Sequence, residues 1–303
     1  MLLIDNSNIL NISYAIFVKT LKEKNGLDYV IKKEDLGMFF HLYVRKIKDY
    51  LATYDNIIFC GEGHNSTGWR KEKYPLYKEN RKARGDNPDY AFIKDCYVAV
   101  DELLKLFPCC SLRTDNCEAD DEIYALSKYF AEKGEQVNIV SSDRDLSQIM
   151  NYFDGITVYN PVKKEHMKAD ENILFEKAII GDSSDNIKGL PRVGQKKFEK
   201  MMSSKEEWDK VLLKEENRKI YDTIMDIVDL RKYPAEYQKA IIDNFEKTGY
   251  NKLDVEGVEK FFFDNNLNQC QKSWSEWAGE IQMAHNGKAE VSAEDEIMEI
   301  LNS

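Results

Sequence analysis

Val137-Asn138-Ile139-Val140-Ser141-Ser142-Asp143-Arg144-Asp145 decides how this chain is read. The run Val137–Ser141 is short, apolar and β-branched, the kind of strand that lies buried in a sheet. It ends at once in two acids that straddle Arg144. In an extended segment Asp143 and Asp145 therefore face one way and Arg144 the other. The same grammar recurs on either side. Leu2–Asp5 is an apolar strand closing on an acid, and Asn56–Gly61 (NIIFCG) runs directly into Glu62. Cys109–Arg113 reads as a strand ahead of Glu118-Ala119-Asp120-Asp121, and Ile156–Asn160 as another. Helical periodicity fills the intervals: Leu36–Tyr54, Asp89–Phe107 before Pro108, and Glu118–Lys133 closed by Gly134. Alternating strands and helices predict an α/β fold, with a mainly parallel sheet flanked by helices.

Beyond Glu171 the pattern changes to helices and turns, with no strand expected. The helical candidates are Asn172–Gly181, Gly194–Met202, Glu206–Leu213, Ala235–Lys247 and Val255–Asn265. The division expected is an α/β domain over 1–180, an all-α domain over 181–284, and an acidic tail over 285–303. Hydrophobic residues make up 43% of the 303 and charged residues 32%, an ordinary globular balance. No apolar run approaches the roughly 18 residues of a membrane helix, and the strand at Leu2 leaves no room for a leader before it. A cytoplasmic monomer is expected. The six cysteines form no CxxC pair and read as reduced, and the four histidines show no metal-ligand spacing, which argues against a zinc site. The net charge of −11 by itself disfavours nucleic acid, but the charges are segregated along the chain.

Ligands of a parallel sheet bind beyond the carboxyl ends of its strands. Asp5, Glu62, Glu118, Asp120, Asp121, Asp143 and Asp145 all fall there, and Asp182 and Asp185 lie in Gly181-Asp182-Ser183-Ser184-Asp185-Asn186 at a helix end. Taken singly, each is an ordinary strand-end turn, helix cap or helix-start acid. Nine carboxylates at one edge resist joint ionisation unless cations neutralise them. An all-oxygen set without Cys or His suits magnesium, with manganese able to substitute. Glu118 and Asp121 are spaced to share a helix face, and so are Asp182 and Asp185 if helical. Two ligand clusters fit two metals about 4 Å apart, the usual arrangement for phosphodiester hydrolysis.

The segment Trp69–Arg84 carries seven basic residues and two acids, and follows the second strand over the same edge. Its aromatics Trp69, Tyr74 and Tyr77 are interleaved with Arg70, Lys73, Lys78, Arg81 and Arg84. That mixture suits stacked bases and paired phosphates of a single strand, against the blander reading of a solvated charged face. Farther on, Asp185–Lys197 joins two helices by a turn bounded by Gly189 and Gly194, with Lys196 and Lys197 following. Such a turn presents amides and a helix start to a phosphate, although a plain helical hairpin would look the same.

In this order the motifs resemble the 5′-nuclease family: flap endonucleases, the exonuclease domain of bacterial DNA polymerase I, and the phage ribonuclease H type, to which the similarity is greatest. They are Ile4–Asn8, Gly61-Glu62 with Arg70 and Tyr77–Arg81, Glu118–Asp121, Ser142–Asp145, Gly181–Asn186, and Gly189 to Lys196. Each is weak alone, and the ordered set is specific. The resemblance implies a PIN-like nuclease domain with a helical arch near 66–90 and a helix-hairpin-helix-type domain that grips duplex DNA. It implies two magnesium ions, the first served by Asp5, Glu62, Glu118, Asp120, Asp121 and Asp143, the second by Asp145, Asp182 and Asp185. Lys78 and Arg81 would orient and polarise the scissile phosphate. Arg70, Lys73, Tyr77, Arg84, Gly189, Gly194, Lys196 and Lys197 would contact nucleic acid. Substrates would be DNA or RNA–DNA duplexes with 5′ flaps or 5′ ends, including RNA primers during replication. A potassium ion on hairpin carbonyls, a single-strand-binding protein and a sliding clamp are further implied partners, and a phage-encoded copy would work in the host cytoplasm. Glu62 stands where the family commonly has Asp. Two rivals differ in class. A binding module with a dead site would grip a flap and never cut it. An aspartyl phosphatase would want Asp-x-Asp after its first strand, where this chain has Asp5-Asn6-Ser7. Gly61-Glu62-Gly63 lacks the rest of a dinucleotide fingerprint.

Overall fold

Side chains in the first strand alternate between two cores, and that alternation builds the molecule. The computed structural model describes the backbone over 1–84 and 88–301, and side chains over 1–81 and 92–285. The chain runs β1 (Leu2–Asp5), α1 (Asn6–Asn25), α2 (Leu36–Leu51), β2 (Ile57–Cys60), α3 (Gly68–Lys73), α4 (Pro88–Leu104), β3 (Cys110–Leu112) and α5 (Ala119–Ala131). It continues with β4 (Val137–Val140), β5 (Ile156–Asn160), β6 (Glu165–His166), α6 (Ile173–Ile179), β7 (Gly181–Asp182) and β8 (Ile187–Lys188). The last helices are α7 (Gln195–Ser203), α8 (Lys205–Leu212), α9 (Glu215–Val228), α10 (Ala235–Thr248), α11 (Val255–Asp264) and α12 (Asn268–Leu301).

The main sheet has the order β3-β2-β1-β4-β5-β6. Its first five strands are parallel and β6 closes the edge antiparallel. Asp5 pairs in register with Cys60, and Ile4 with Val140, so β1, β2 and β4 end level and deliver their following residues to one edge. Leu2 and Ile4 point into a core with Phe17 of α1, Phe39 of α2, Val100 of α4, Phe262 of α11 and Trp274 of α12. Leu3 points the other way, into a core with Ile58, Ile123 and Leu126 of α5, and Ile241 of α10. Both faces are covered, as a parallel sheet requires.

Two sequence expectations need correction. The region after Glu171 is not free of strands: β7 and β8 pair antiparallel, Gly181 with Lys188 and Asp182 with Ile187. Gly181 sits at φ 97°, and a Cβ on Gly189 would lie 2.3 Å from the Ile180 carbonyl carbon, so both glycines are needed for this close approach. Second, α9 went unread, although Ile224 and Ile227 bury its inner face. The last helices pack back against elements of the α/β region. α10 packs beneath α5 and β3, while α12 packs on α2 and α11. The backbone of α12 continues through the acidic stretch to Leu301.

Candidate functional site

The level strand ends bring the acids together as expected. Asp5 caps α1 by accepting from the Asn8 N–H at 2.9 Å, and accepts from Ser141 Oγ at 2.8 Å. Ser142 and Asn8 hydrogen-bond across β1 and β4, with Asn8 Nδ2 donating to Ser142 Oγ at 2.8 Å. These contacts lock the start of α1 to the loop that carries Asp143. Asp5 is 4% exposed. Burial, together with Asp143 and Glu62, pushes its pKa up to about 7 against the pull of Asn8 and Ser141. Burial and the charges of Asp143 and Asp5 hold Asp120 well above the ordinary carboxylate range. Glu62 keeps its side chain open to solvent. The protein crowded around it, and then Glu118, raise its pKa.

Two clefts adjoin at this edge. A small one of about 130 Å³ is lined by Asp5, Glu62, Glu118, Asp120 and Asp143 among others. A larger one of about 400 Å³ is lined by Asp145, Asp182, Asp185 and Lys177 among others. Lys78, Arg81, Asp120 and Asp143 line both, so they stand on the boundary. In the larger cleft single oxygens of Asp145, Asp182 and Asp185 lie within 4.8 Å of one another, close enough to share one cation. Asp143 and Asp182 shape their own turns: Asp143 accepts from the Asp145 N–H, and Asp182 from the Ser184 N–H and Oγ.

Lysines occupy the spaces between these acids. Lys78 Nζ pairs with Glu118 and lies 3.8 Å from Asp185. Burial alone would raise Glu118, but Lys78 and Arg70 overcome it and lower its pKa to about 2. Lys177 Nζ pairs with Asp145, lies 2.7 Å from Asp182 and 3.9 Å from Asp185. Against burial it lowers Asp182 to about 2, whereas burial leaves Asp145 and Asp185 raised. Arg81 Nη2 donates to Asp185 at 3.0 Å, while its buried Nε has no hydrogen-bond partner among the described residues.

Several residues do not sit where the sequence placed them. Asp121 lines neither cleft. It is fully buried and paired with Arg70, Nη2 to Oδ1 at 2.6 Å and Nη1 to Oδ2 at 2.8 Å. Arg70 is 3% exposed and also donates to Glu118 and to the Ile227 carbonyl at the end of α9. It is an internal tie rather than a strand-facing cation. Tyr77 and Trp69 are each 4% exposed, and the Tyr77 hydroxyl donates to Glu118 at 2.9 Å, so neither ring is open for stacking. The apolar faces of these rings joined the core and sandwich the Arg70 guanidinium, 4.4 Å from the Trp69 centroid and 5.7 Å from Tyr77. Lys73 turns to α9, 4.0 Å from Asp226. Gly194 precedes α7 with open space beside it, and Lys196 and Lys197 are exposed on the first turn. The side chain of Arg84 lies outside the described residues, as does part of the expected arch.

Sequence reading missed two groups. Lys177 is the single cation in the mostly apolar run Ile173–Ile179, beside Glu176 and five residues before Asp182, and that position was the available signal. Glu122 follows the acid motif yet is fully buried, accepting from the Thr114 N–H at 2.7 Å and the Gly61 N–H at 3.1 Å. It fixes the backbone next to Glu62.

Fold and site together define a class: an α/β protein with an acidic, cation-bridged centre at the carboxyl edge of a parallel sheet. Within that class the chain belongs to the 5′-3′ exonuclease family, with residues 1–178 matching its N-terminal resolvase-like domain. Ribonuclease H of Enterobacteria phage T4 is 30% identical over 168 residues, covering 52% of this chain and 55% of that protein. A 5′-3′ exonuclease of Buchnera aphidicola (subsp. Schizaphis graminum) is 33% identical over 163 residues, 49% of this chain and 52% of its own. The chain thus spans about half the length of these curated relatives. Among solved structures, the T5 D15 protein co-crystallized with metal ions aligns over 88% of this chain and 97% of its own, at 18% identity and TM-score 0.49. Among the described residues no helix is long and apolar enough to cross a membrane.

Proposed function

We propose that this protein is a magnesium-dependent 5′-nuclease that hydrolyses phosphodiesters near the 5′ ends of flapped, nicked or primer-bearing duplexes during replication. The observation that carries the reading is the pair of acid-lined clefts sharing Lys78 and Arg81 on their boundary. The donors fit hard divalent cations. They are all oxygens, and burial raises Asp5, Asp120 and Asp145, which calls for positive charge to ionise them together. Asp5, Glu62, Glu118, Asp120 and Asp143 would hold one ion and Asp145, Asp182 and Asp185 a second. When bound, such ions activate water and stabilise charge on the attacked phosphate; manganese should substitute for magnesium.

The chain's own groups do the rest. Lys78 and Arg81 reach both clefts, where their cationic ends would meet a phosphate oxygen. Arg70 holds Glu118 in place from behind. Glu122 fixes the strand end from which Glu62 projects. Exposed Lys196 and Lys197 at the start of α7 suit a duplex backbone, which they would position without reading its sequence. The same hairpin could hold potassium through its carbonyls, and a sliding clamp and single-strand-binding protein are the partners that replication would supply.

The test is cleavage of a labelled 5′-flap duplex and of an RNA-primed hybrid, in magnesium and in chelator, with Asp145→Asn as control. Magnesium-dependent cutting that the substitution abolishes supports the reading. Tight binding without cutting in any divalent metal would instead assign a binding module with a dead site, and would make Glu62 the first residue to exchange for Asp.

A further inference from the structure

Two asparagines inside the site motifs have no task in the chemistry above: Asn80, within Tyr77–Arg81, and Asn186, which ends Gly181–Asn186. The structure brings their two segments edge to edge. Asn186 Nδ2 donates to the Leu76 carbonyl at 2.7 Å. Asn80 Nδ2 donates in the opposite direction, to the Ser183 carbonyl at 3.0 Å. Between them the Lys78 N–H donates to the Asp185 carbonyl at 2.8 Å, and the Lys188 N–H donates to the Tyr74 hydroxyl at 3.2 Å. These bonds stitch 74–80 to the β7–β8 hairpin, which carries Asp182 and Asp185.

The stitch holds an unusual backbone. Lys78 stands at φ 53° and Asn186 at φ 56°. Asparagine tolerates the left-handed region, but lysine enters it rarely and stays only where its surroundings hold it. That conformation sends the Lys78 side chain to Glu118, with Asp185 3.8 Å from its Nζ. The ammonium therefore depends on the β7–β8 turn for its place between the clusters, although β7–β8 and Lys78 are far apart in sequence.

We propose that Asn80 and Asn186 are positioning residues, a reciprocal amide clasp that sets Lys78 between the two carboxylate clusters. The clasp ties the Lys78 cation to the β7–β8 hairpin that carries Asp182 and Asp185. This rests on the nuclease reading, since the clasp acts through Lys78.

A double-mutant cycle tests it. Asn186→Gly keeps the left-handed turn and removes only the amide; Asn186→Asp keeps size and turn but cannot donate; Asn80→Ala removes the return bond. Each is measured alone and in a Lys78→Ala background, by single-turnover cleavage of a 5′-flap duplex in magnesium and by flap affinity in chelator. Alone, each should slow turnover by about 10- to 100-fold, the scale of a misplaced reacting group, with affinity and thermal midpoint near those of the parent. Added to Lys78→Ala, they should cost little more, because residues acting through one group are not additive. Full additivity with Lys78→Ala, or weakened affinity at normal turnover, would overturn the clasp. If Asn186→Gly lowers the thermal midpoint, Asn80→Ala, on an exposed side chain, decides alone. A parent protein that never cuts would sink the nuclease reading, a result distinguishable from failure of the clasp.

Discussion

Replacing Lys177 by Met should weaken the protein in chelator and yet tighten its hold on a divalent cation. The lysine sits among Asp145, Asp182 and Asp185, with side-chain exposure of 13% against 22%, 17% and 12% for the acids. Methionine keeps the length and apolar stem and removes the charge. Taking one partner from a fully buried ion pair costs about 3–5 kcal/mol, and the residual exposure here screens the loss to about 2–3 kcal/mol. For a chain of this size that lowers the thermal midpoint by about 5 °C. The metal effect has the opposite sign. Ammonium and metal compete for the same carboxylate oxygens, so removing the ammonium removes a competitor. A tenfold fall in the half-saturating magnesium concentration corresponds to about 1.4 kcal/mol, less than the pairing energy released. The assay is the thermal midpoint followed by fluorimetry, in chelator and across a magnesium series, for parent and variant. A variant that needs as much magnesium as the parent, or more, would refute the idea that Lys177 occupies a cation position.

Asp145→Asn and Asp182→Asn should each leave the far-ultraviolet circular dichroism unchanged and lower turnover by at least about 100-fold, the upper end of what loss of an outer-shell metal partner costs; full activity in either would remove that residue from the ligand set. Lys78→Ala should depress kcat far more than flap affinity, and weakened affinity at an unchanged rate would show that Lys78 only holds the strand. Glu122 supplies a pH test, because burial, opposed by the Thr114 and Gly61 donors, raises its pKa from 4.5 to about 8. The folded chain then keeps a proton that the unfolded chain has released, so stability should fall as pH rises from about 4.5 to about 8, by up to about 1.4 kcal/mol per unit. Glu122→Gln should flatten that slope in thermal midpoints measured in chelator, and an identical slope would mean that Glu122 ionises normally.

What could be read from the sequence was whatever local order encodes. Asp5, Glu62, Asp120, Asp143 and Asp145 follow strands whose type is written in their apolar runs, and parallel pairing alone puts such residues at one edge. Glu118 at the cap of α5 and Asp121 in its first turn stand side by side, as their spacing suggested. The spacing could not say what the pair meets, and it meets Arg70, brought from α3 by tertiary packing. Trp69 and Tyr77 failed for the same reason. An aromatic among lysines is equally suited to stacking bases and to covering a buried guanidinium, and only the fold chooses. β7 and β8 have two residues each, too few for any periodicity to show. The return of α10 and α12 to the sheet is likewise a matter of long-range packing.

The centre's own lysines offset part of its acidic charge, which lessens the repulsion between the site and a polyanion in a chain of net charge −11. Lys78 pairs with Glu118 and approaches Asp185, and Lys177 is shared between Asp145 and Asp182. Without these cations the buried acids would have to stay protonated, as the upward shifts of Asp5 and Asp120 already indicate. Cations that only balanced charge could sit anywhere in the clusters. Lys78 and Arg81 instead stand on the boundary of both clefts. A side chain so placed can serve as counter-ion to the acids until a divalent ion replaces it, and is then within reach of a phosphate. The Lys177→Met titration reads the first half of that exchange and the Lys78→Ala kinetics the second. If magnesium affinity ignores Lys177 while the rate still depends on Lys78, the two lysines have separate tasks and the exchange does not occur.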